Sequence, residues 1–368
     1  MADCIAAIST PMASGGVSMI RISGADALEV AAKVFIPKYP VRDIEKMDGY
    51  TAAYGDITAD GTKLDDGVLL IFRAPHSYTG EDCAELHCHG SPIVLDTGLR
   101  ALFAAGCRQA GPGEFTKRAF LNGQLDLLQA ESVADLIDAE TAEAAKNAVC
   151  QLDGVLSRTI AGIYDGLMAM AARFYAVVDY PDEDIEDVQR QEMLDTLSRA
   201  QRELERLLAT FSRGQLLKQG VPAVILGRPN AGKSSLLNAL LGYDRAIVTD
   251  IPGTTRDTIE EKLRLGGVLL RLTDTAGIRE TDDEIERMGV TRSRRAMEQA
   301  DLVLAVIDGH REITCEDLEL IKCAERAPHG IVILSKHDLG SLSKMPETTL
   351  PVIEISSVTG EGLDKLED

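Results

Sequence analysis

The chain has 368 residues, 45% of them apolar and 26% charged, which is enough for two or three globular domains and excludes a disordered polymer. Fifty-nine acidic against 38 basic side chains give a net charge of −21, which excludes unspecific wrapping of nucleic acid; a polyanion must meet a local basic patch or a second protein. Seven scattered cysteines, no apolar run of about eighteen residues and no basic start with an apolar core at the N-terminus predict a reduced, cytoplasmic chain with no membrane segment.

Residues 1–119 are rich in glycine, short apolar runs and turn signals (MIRISG, DGVLLIF, ELHCHG), the texture of an α+β domain. A strand is expected over Val68–Phe72 and a helix over Pro92–Ala105. Cys83, His87, Cys88 and His89 suggest zinc, but in a strand His87 and His89 share one face and Cys88 points away, so three ligands do not converge. From Phe120 the apolar spacing becomes helical, with Leu121, Leu125, Leu128, Val133 and Leu136 separated by acidic residues. Helices continue over 152–175 and, after the Pro-containing acidic run Asp179–Asp187, over 188–217, where Leu194, Leu197, Leu204, Leu208 and Phe211 form one apolar face. Residues 120–217 therefore read as a helical domain of antiparallel hairpins.

From residue 218 short apolar runs (AVILG, LLRLTD, LVLAVID, IVILSK, VIEISS) alternate with helical stretches, as in a parallel sheet covered on both faces. Gly266-Gly267 joins residues 260–265 to 268–273 as a hairpin that adds an antiparallel edge. The last helix stops after barely one turn at Asp368, so the chain reads as truncated.

Between the first of these strands and its helix stands Gly227-Arg-Pro-Asn230-Ala231-Gly232-Lys233-Ser234-Ser235, a phosphate loop in its required context. Its backbone N–H groups and helix N-terminus suit phosphates, Lys233 reaches the β- and γ-phosphates, and the Ser234 hydroxyl can ligate Mg²⁺. Asp274-Thr275-Ala276-Gly277 follows a strand, where its carboxylate can hold Mg²⁺ through water and Gly277 can meet a γ-phosphate. Thr249-Asp250-Ile251-Pro252-Gly253-Thr254-Thr255 between them suits a loop that closes over the nucleotide. Ser335-Lys336-His337-Asp338 stands where a base-reading motif belongs. The Asp338 carboxylate can accept from guanine N1–H and the exocyclic amine, a pair adenine does not offer. Guanine sites normally carry Asn-Lys-x-Asp; Ser335 in the Asn position can lose a loop-bracing contact. Ser356-Ser357-Val358 stands in the place of the fifth guanine motif, usually Ser-Ala-Lys.

The phosphate-loop segment, with TDIPGTTRD and DTAGIRE, resembles the Era/EngA-type GTPases. GPGEFTKRAFLNGQLDLLQAESVADLI, MIRISG and YTGED narrow the resemblance, which covers the whole chain, to the MnmE (TrmE) family of tRNA-modification GTPases. The family's C-terminal continuation of the helical domain and its terminal Cys-x-Gly-Lys are missing.

That resemblance implies a folate-binding, dimer-forming domain over 1–119, a helical domain over 120–217 and a Ras-like P-loop GTPase domain over 218–368. It implies a homodimer that acts with the flavoprotein MnmG as a heterotetramer. Together they add a carboxymethylaminomethyl group to C5 of the wobble uridine of certain tRNAs. The one-carbon donor is 5-formyl- or 5,10-methylene-tetrahydrofolate, and FAD and NADH belong to MnmG. By motif position Arg21, Glu85 and Gln124 contact the folate, Gln124 standing where many relatives have Lys. The resemblance also implies K⁺ at Asn230, Thr249, the Ile251 carbonyl and Thr254, and Mg²⁺ at Ser234 and Thr255. Read alone, Glu286 is a solvated helix position; the resemblance makes it the glutamate that orients the attacking water, beside Lys233 and Thr255. The competing reading is a regulatory or ribosome-assembly GTPase switch, which folate binding by residues 1–119 would discriminate; Asp338 disfavours an ATP-dependent kinase.

Overall fold

The computed structural model describes residues 3–39, 43–180, 189–243, 261–272, 300–340 and 345–367. The chain divides into two compact units, Met1–Ala134 with Cys150–Ala161, and Asp135–Val149 with Gly162–Asp368.

The first unit is built on a seven-stranded sheet. Its strands are β1 (Ile5–Ile8), β2 (Gly15–Ser23), β3 (Phe35–Pro37), β4 (Thr51–Ala59), β5 (Thr62–Phe72), β6 (Cys83–Gly90) and β7 (Arg108–Gln109), in the order β3-β4-β5-β6-β2-β1-β7. All pairs are antiparallel except β1 with β7. Alternation sends Ile20, Ile22, Leu69, Ile71, Ala84 and Leu86 to one face, where α1 (Ala27–Val34) and α2 (Pro92–Ala105) cover them with Leu28, Val30, Leu95, Leu99 and Leu102. Arg21, Glu85 and His87 occupy the other face, with Arg21 directly opposite Glu85 in the ladder. Helix α2 has the expected bounds, with Pro92 in its first turn and Gly106 (φ 128°) after its last residue. Strand β5 starts six residues before the expected Val68. Its early half carries Lys63 and Asp66, and Lys63 pairs with Asp56 of β4, so the strand is held by ions where no apolar run marks it.

Helix α3 (Glu114–Leu121) leads into α4 (Leu127–Ile137), α5 (Ala142–Leu152) and α6 (Val155–Asp179), and α7 follows over Arg190–Gln219. The end of α6 meets the start of α7 through the Arg173–Glu192 ion pair, the antiparallel hairpin expected from the sequence. The apolar stripe of α7 is present but exposed, Leu208 at 71% and Phe211 at 66%.

The second unit holds a six-stranded sheet. Its strands are β8 (Val221–Gly227), β9 (Glu261–Leu265), β10 (Val268–Leu272), β11 (Leu302–Asp308), β12 (His329–Ser335) and β13 (Val352–Glu354), in the order β13-β12-β11-β8-β10-β9. Only the β9–β10 hairpin is antiparallel, and Gly266 and Gly267 give its turn the positive φ it needs (55° and 79°). Helices α8 (Lys233–Tyr243) and α10 (Leu363–Glu367) cover one face and α9 (Cys315–Arg326) the other. Strand order reverses at β8, so the crevice beyond its C-terminal end is where a doubly wound sheet places its ligand. This is the Ras-like P-loop architecture.

Candidate functional site

The turn between β8 and α8 is shaped by two left-handed residues, Asn230 (φ 62°) and Gly232 (φ 95°). Gly227 tolerates no side chain, because a Cβ there would lie 2.6 Å from the Val306 carbonyl oxygen and 3.3 Å from the Lys233 stem. Lys233 donates from Nζ to the carbonyls of Gly227 (2.7 Å) and Arg228 (2.9 Å), which folds its stem along the loop. Burial pushes the Lys233 ammonium below the usual lysine range. A half-buried cation whose bonds run to neutral carbonyls suits an anionic ligand, which restores the charge balance. Ser234 sits exposed at the first turn of α8, one residue from Lys233, where a hydroxyl can serve Mg²⁺ held on phosphates.

The base-reading segment is joined to this loop. Ser335, 1% exposed at the end of β12, donates from Oγ to the Ala231 carbonyl at 2.6 Å, with the Ile307 carbonyl 3.1 Å away. The brace that the Asn-to-Ser replacement puts at risk is therefore kept by the shorter hydroxyl. Its Oγ lies 3.3 Å from a Cβ placed on Gly232, so the two segments touch. We expect Ser335→Ala to leave the Ala231 carbonyl buried without a partner. That costs about 1–3 kcal/mol of stability, read as a melting temperature lowered by about 2–4 °C per kcal/mol; an unchanged melting temperature would remove the brace.

Lys336 takes φ 61° and pairs with Asp308 at 2.8 Å. Burial raises the Asp308 pKa, but the Lys336 hydrogen bond, the His310 N–H and the Arg311 charge outweigh it, and the carboxyl stays below the usual range. Asp338 lies in the single turn His337–Leu339, and its Oδ1 accepts from the Ser356 hydroxyl at 2.7 Å. Ser356 is fully buried, and its Oγ in turn accepts from the backbone of Val358 (3.3 Å) and Thr359 (3.2 Å). The Ser356-Ser357-Val358 loop thus aims the Asp338 carboxylate, although Val358 itself is 86% exposed.

Arg228, which motif reading passed over, reaches from the phosphate loop to the start of α9. It contacts the Thr314 hydroxyl (2.9 Å) and Glu316 (2.7 Å). Thr314 and Asp317 form a capping box there, a signal legible as Thr-x-x-Asp before a helix. Thr249, Asp250, Ile251, Pro252, Gly253, Thr254, Thr255, Asp274, Thr275, Ala276, Gly277 and Glu286 lie outside the described residues.

In the first unit Arg21 Nε donates to Glu85 at 2.9 Å. The Arg21 guanidinium lies over the rings of Tyr78 (5.2 Å) and Phe115 (5.7 Å), neither of them among the expected folate contacts. Tyr78 is steadied by Thr116 on α3. Gln124 approaches the same loop, its Cγ and Nε2 each 3.2 Å from a Cβ built on Gly80. His87 is 3.6 Å from Glu85, whereas His89 pairs with Asp65 at 2.9 Å and Cys88 is buried on the opposite face toward the Ser18 carbonyl.

The family description "GTP-binding protein TrmE N-terminus" matches residues 4–124, and "MnmE helical domain" matches residues 127–368. Similarity to the tRNA modification GTPase MnmE of Lactococcus lactis is 45% identity over the whole chain and 80% of that protein. The chain belongs to the MnmE family of tRNA modification GTPases. MnmE of Symbiobacterium thermophilum is 46% identical over 99% of this chain and 81% of its own, and that of Thermoanaerobacter pseudethanolicus 43% over 100% and 81%. As an MnmE-family member the chain is a GTP-hydrolysing enzyme.

Proposed function

We propose that the chain hydrolyses GTP in a K⁺-stimulated, dimer-dependent cycle. With the flavoprotein MnmG, that cycle serves the addition of a carboxymethylaminomethyl group to C5 of the wobble uridine of certain tRNAs. The observation that carries the proposal is the Ser335 hydrogen bond to Ala231, because it ties the segment that carries Asp338 to the loop that carries Lys233. In this reading residues 1–119 bind tetrahydrofolate and form the homodimer, 120–217 are the helical domain and 218–368 the GTPase domain of a cytoplasmic enzyme.

The chain's own groups divide the work. Asp338 accepts from guanine, and Ala231, Gly232, Ser235 and the start of α8 offer N–H groups to the phosphates. Ser234 and Thr255 hold Mg²⁺, and Asn230, Thr249, Ile251 and Thr254 hold K⁺. Asn230 is left-handed and exposed, and its short amide suits a weakly bound monovalent ion. A cation held by these residues would supply positive charge against the charge that develops on the phosphates during hydrolysis. Glu286 orients the water.

Arg21, Glu85 and Gln124 hold the folate, with Tyr78 and Phe115 as walls. The Glu85 carboxylate, held by an Arg21 guanidinium that lies over the two rings, fits the N–H edge of a pterin, and the folate supplies a one-carbon unit at the oxidation level of formate or formaldehyde. FAD and NADH enter through MnmG, and tRNA through the complex.

Hydrolysis rates of the purified chain in KCl and in NaCl, with and without MnmG, test the proposal. A rate at least about tenfold higher in KCl is expected, the size of one well-placed charge. Equal rates in the two salts would remove the K⁺ site.

A further inference from the structure

Cys4 and Cys107 are both buried, 5% and 7% exposed, and their sulfur atoms lie 3.1 Å apart. They stand immediately before Ile5 and Arg108, the first paired residues of β1 and β7, and the Arg108 N–H donates to the Cys4 carbonyl at 3.0 Å. Gly24 allows this close packing, since a Cβ there would lie 2.9 Å from the Cys4 Cα. Asp3, before Cys4, and Arg108, after Cys107, form an ion pair, so the backbone next to each thiol is already fixed. Neighbouring strands bring the two residues within the range a disulfide accepts, and bonding requires the sulfurs to close by about 1 Å.

We propose that Cys4 and Cys107 are a site of reversible oxidation by small hydroperoxides, closing to a disulfide that staples β1 to β7. The Cys4 thiolate attacks the peroxide oxygen. The O–O bond breaks, hydroxide leaves with a proton as water, and Cys4 becomes a sulfenic acid. Cys107, as thiolate, then attacks the Cys4 sulfur, the S–O bond breaks, and a second water leaves. Two thiols lose two electrons and the peroxide gains them. The Cys107 S–H bond to Cys4 holds the Cys4 thiol below its usual range. The pair lies at the sheet edge, where β7 is two exposed residues long, so a molecule the size of hydrogen peroxide needs only a local opening.

The staple reaches further than two strands. Asp3 binds Arg118 of α3 at 2.9 Å, and Arg118 binds Glu81 at 2.9 Å and Glu114 at 3.2 Å, while Arg108 binds Glu114 at 2.6 Å. Helix α3 also carries Phe115, which lies over Arg21. Oxidation therefore fixes the strand ends to which the base of α3 is tied.

The test treats the full chain with hydrogen peroxide, blocks remaining thiols by alkylation and maps peptides without reduction. The expected product is a Cys4–Cys107 linked peptide about 2 Da below the sum of its parts, lost on dithiothreitol treatment. The oxidised chain is expected to melt roughly 5 °C or more higher, reversibly. Cys107→Ala abolishes the link and leaves Cys4 as a sulfenic acid that dimedone traps. If peroxide oxidises the exposed Cys150 or Cys315 while Cys4 and Cys107 are recovered unlinked, or linked to other cysteines, the proposal is overturned.

Discussion

Asp338→Asn is expected to weaken GTP binding by about 10²- to 10⁴-fold. The loss follows from two charge-assisted hydrogen bonds to guanine, worth about 1.5–3 kcal/mol each. The direction of the change is as informative as its size. An Asn amide offers one acceptor and one donor, which matches the N1–H and C2 carbonyl of xanthine, so the variant should accept xanthosine triphosphate better than GTP. The Ser356 hydroxyl still finds the Asn oxygen, so the loop keeps its shape and the melting temperature should change little. Competition binding with GTP, ATP and xanthosine triphosphate checks this; unchanged selectivity in the variant removes Asp338 from the guanine site.

Lys233→Met has the second large effect. The Lys233 ammonium lies along the loop between the Gly227 and Arg228 carbonyls and is positioned for phosphate charge, so its loss should lower the hydrolysis rate by about 10³-fold or more. Stability should move the other way. Burial lowers the Lys233 pKa, so the folded state disfavours the charged form. That penalty is present in full below the folded value and disappears as pH rises past the unfolded one. At neutral pH the variant should therefore melt at the same temperature or higher. Single-turnover hydrolysis with a thermal melt separates the two effects. A variant that loses activity only because it unfolds would contradict the account.

The phosphate loop was legible because its residues are neighbours in the chain: a buried strand, two glycines, a lysine and a helix leave one arrangement. Helix α2 was legible for the same reason, its start and stop written in Pro92 and Gly106. What the sequence hid depends on contacts between distant residues. Ser335 looks like a defect in a guanine motif until the fold brings its hydroxyl to Ala231, 104 positions away. Ser356 braces Asp338 through a loop whose letters depart from the usual motif. The stacking of Tyr78 and Phe115 on Arg21 joins three segments and leaves no local pattern. Strand β7 is too short for any periodicity, and without it the proximity of Cys4 and Cys107 has no visible cause.

The account rests on a guanine nucleotide occupying the turn after Gly227, and calorimetric titration of the intact chain with GTP and with ATP in Mg²⁺ buffer tests that most directly. It predicts saturable heat for about one GTP per chain, with ATP at least about a hundredfold weaker. No heat with GTP, or equal binding of the two nucleotides, would contradict it.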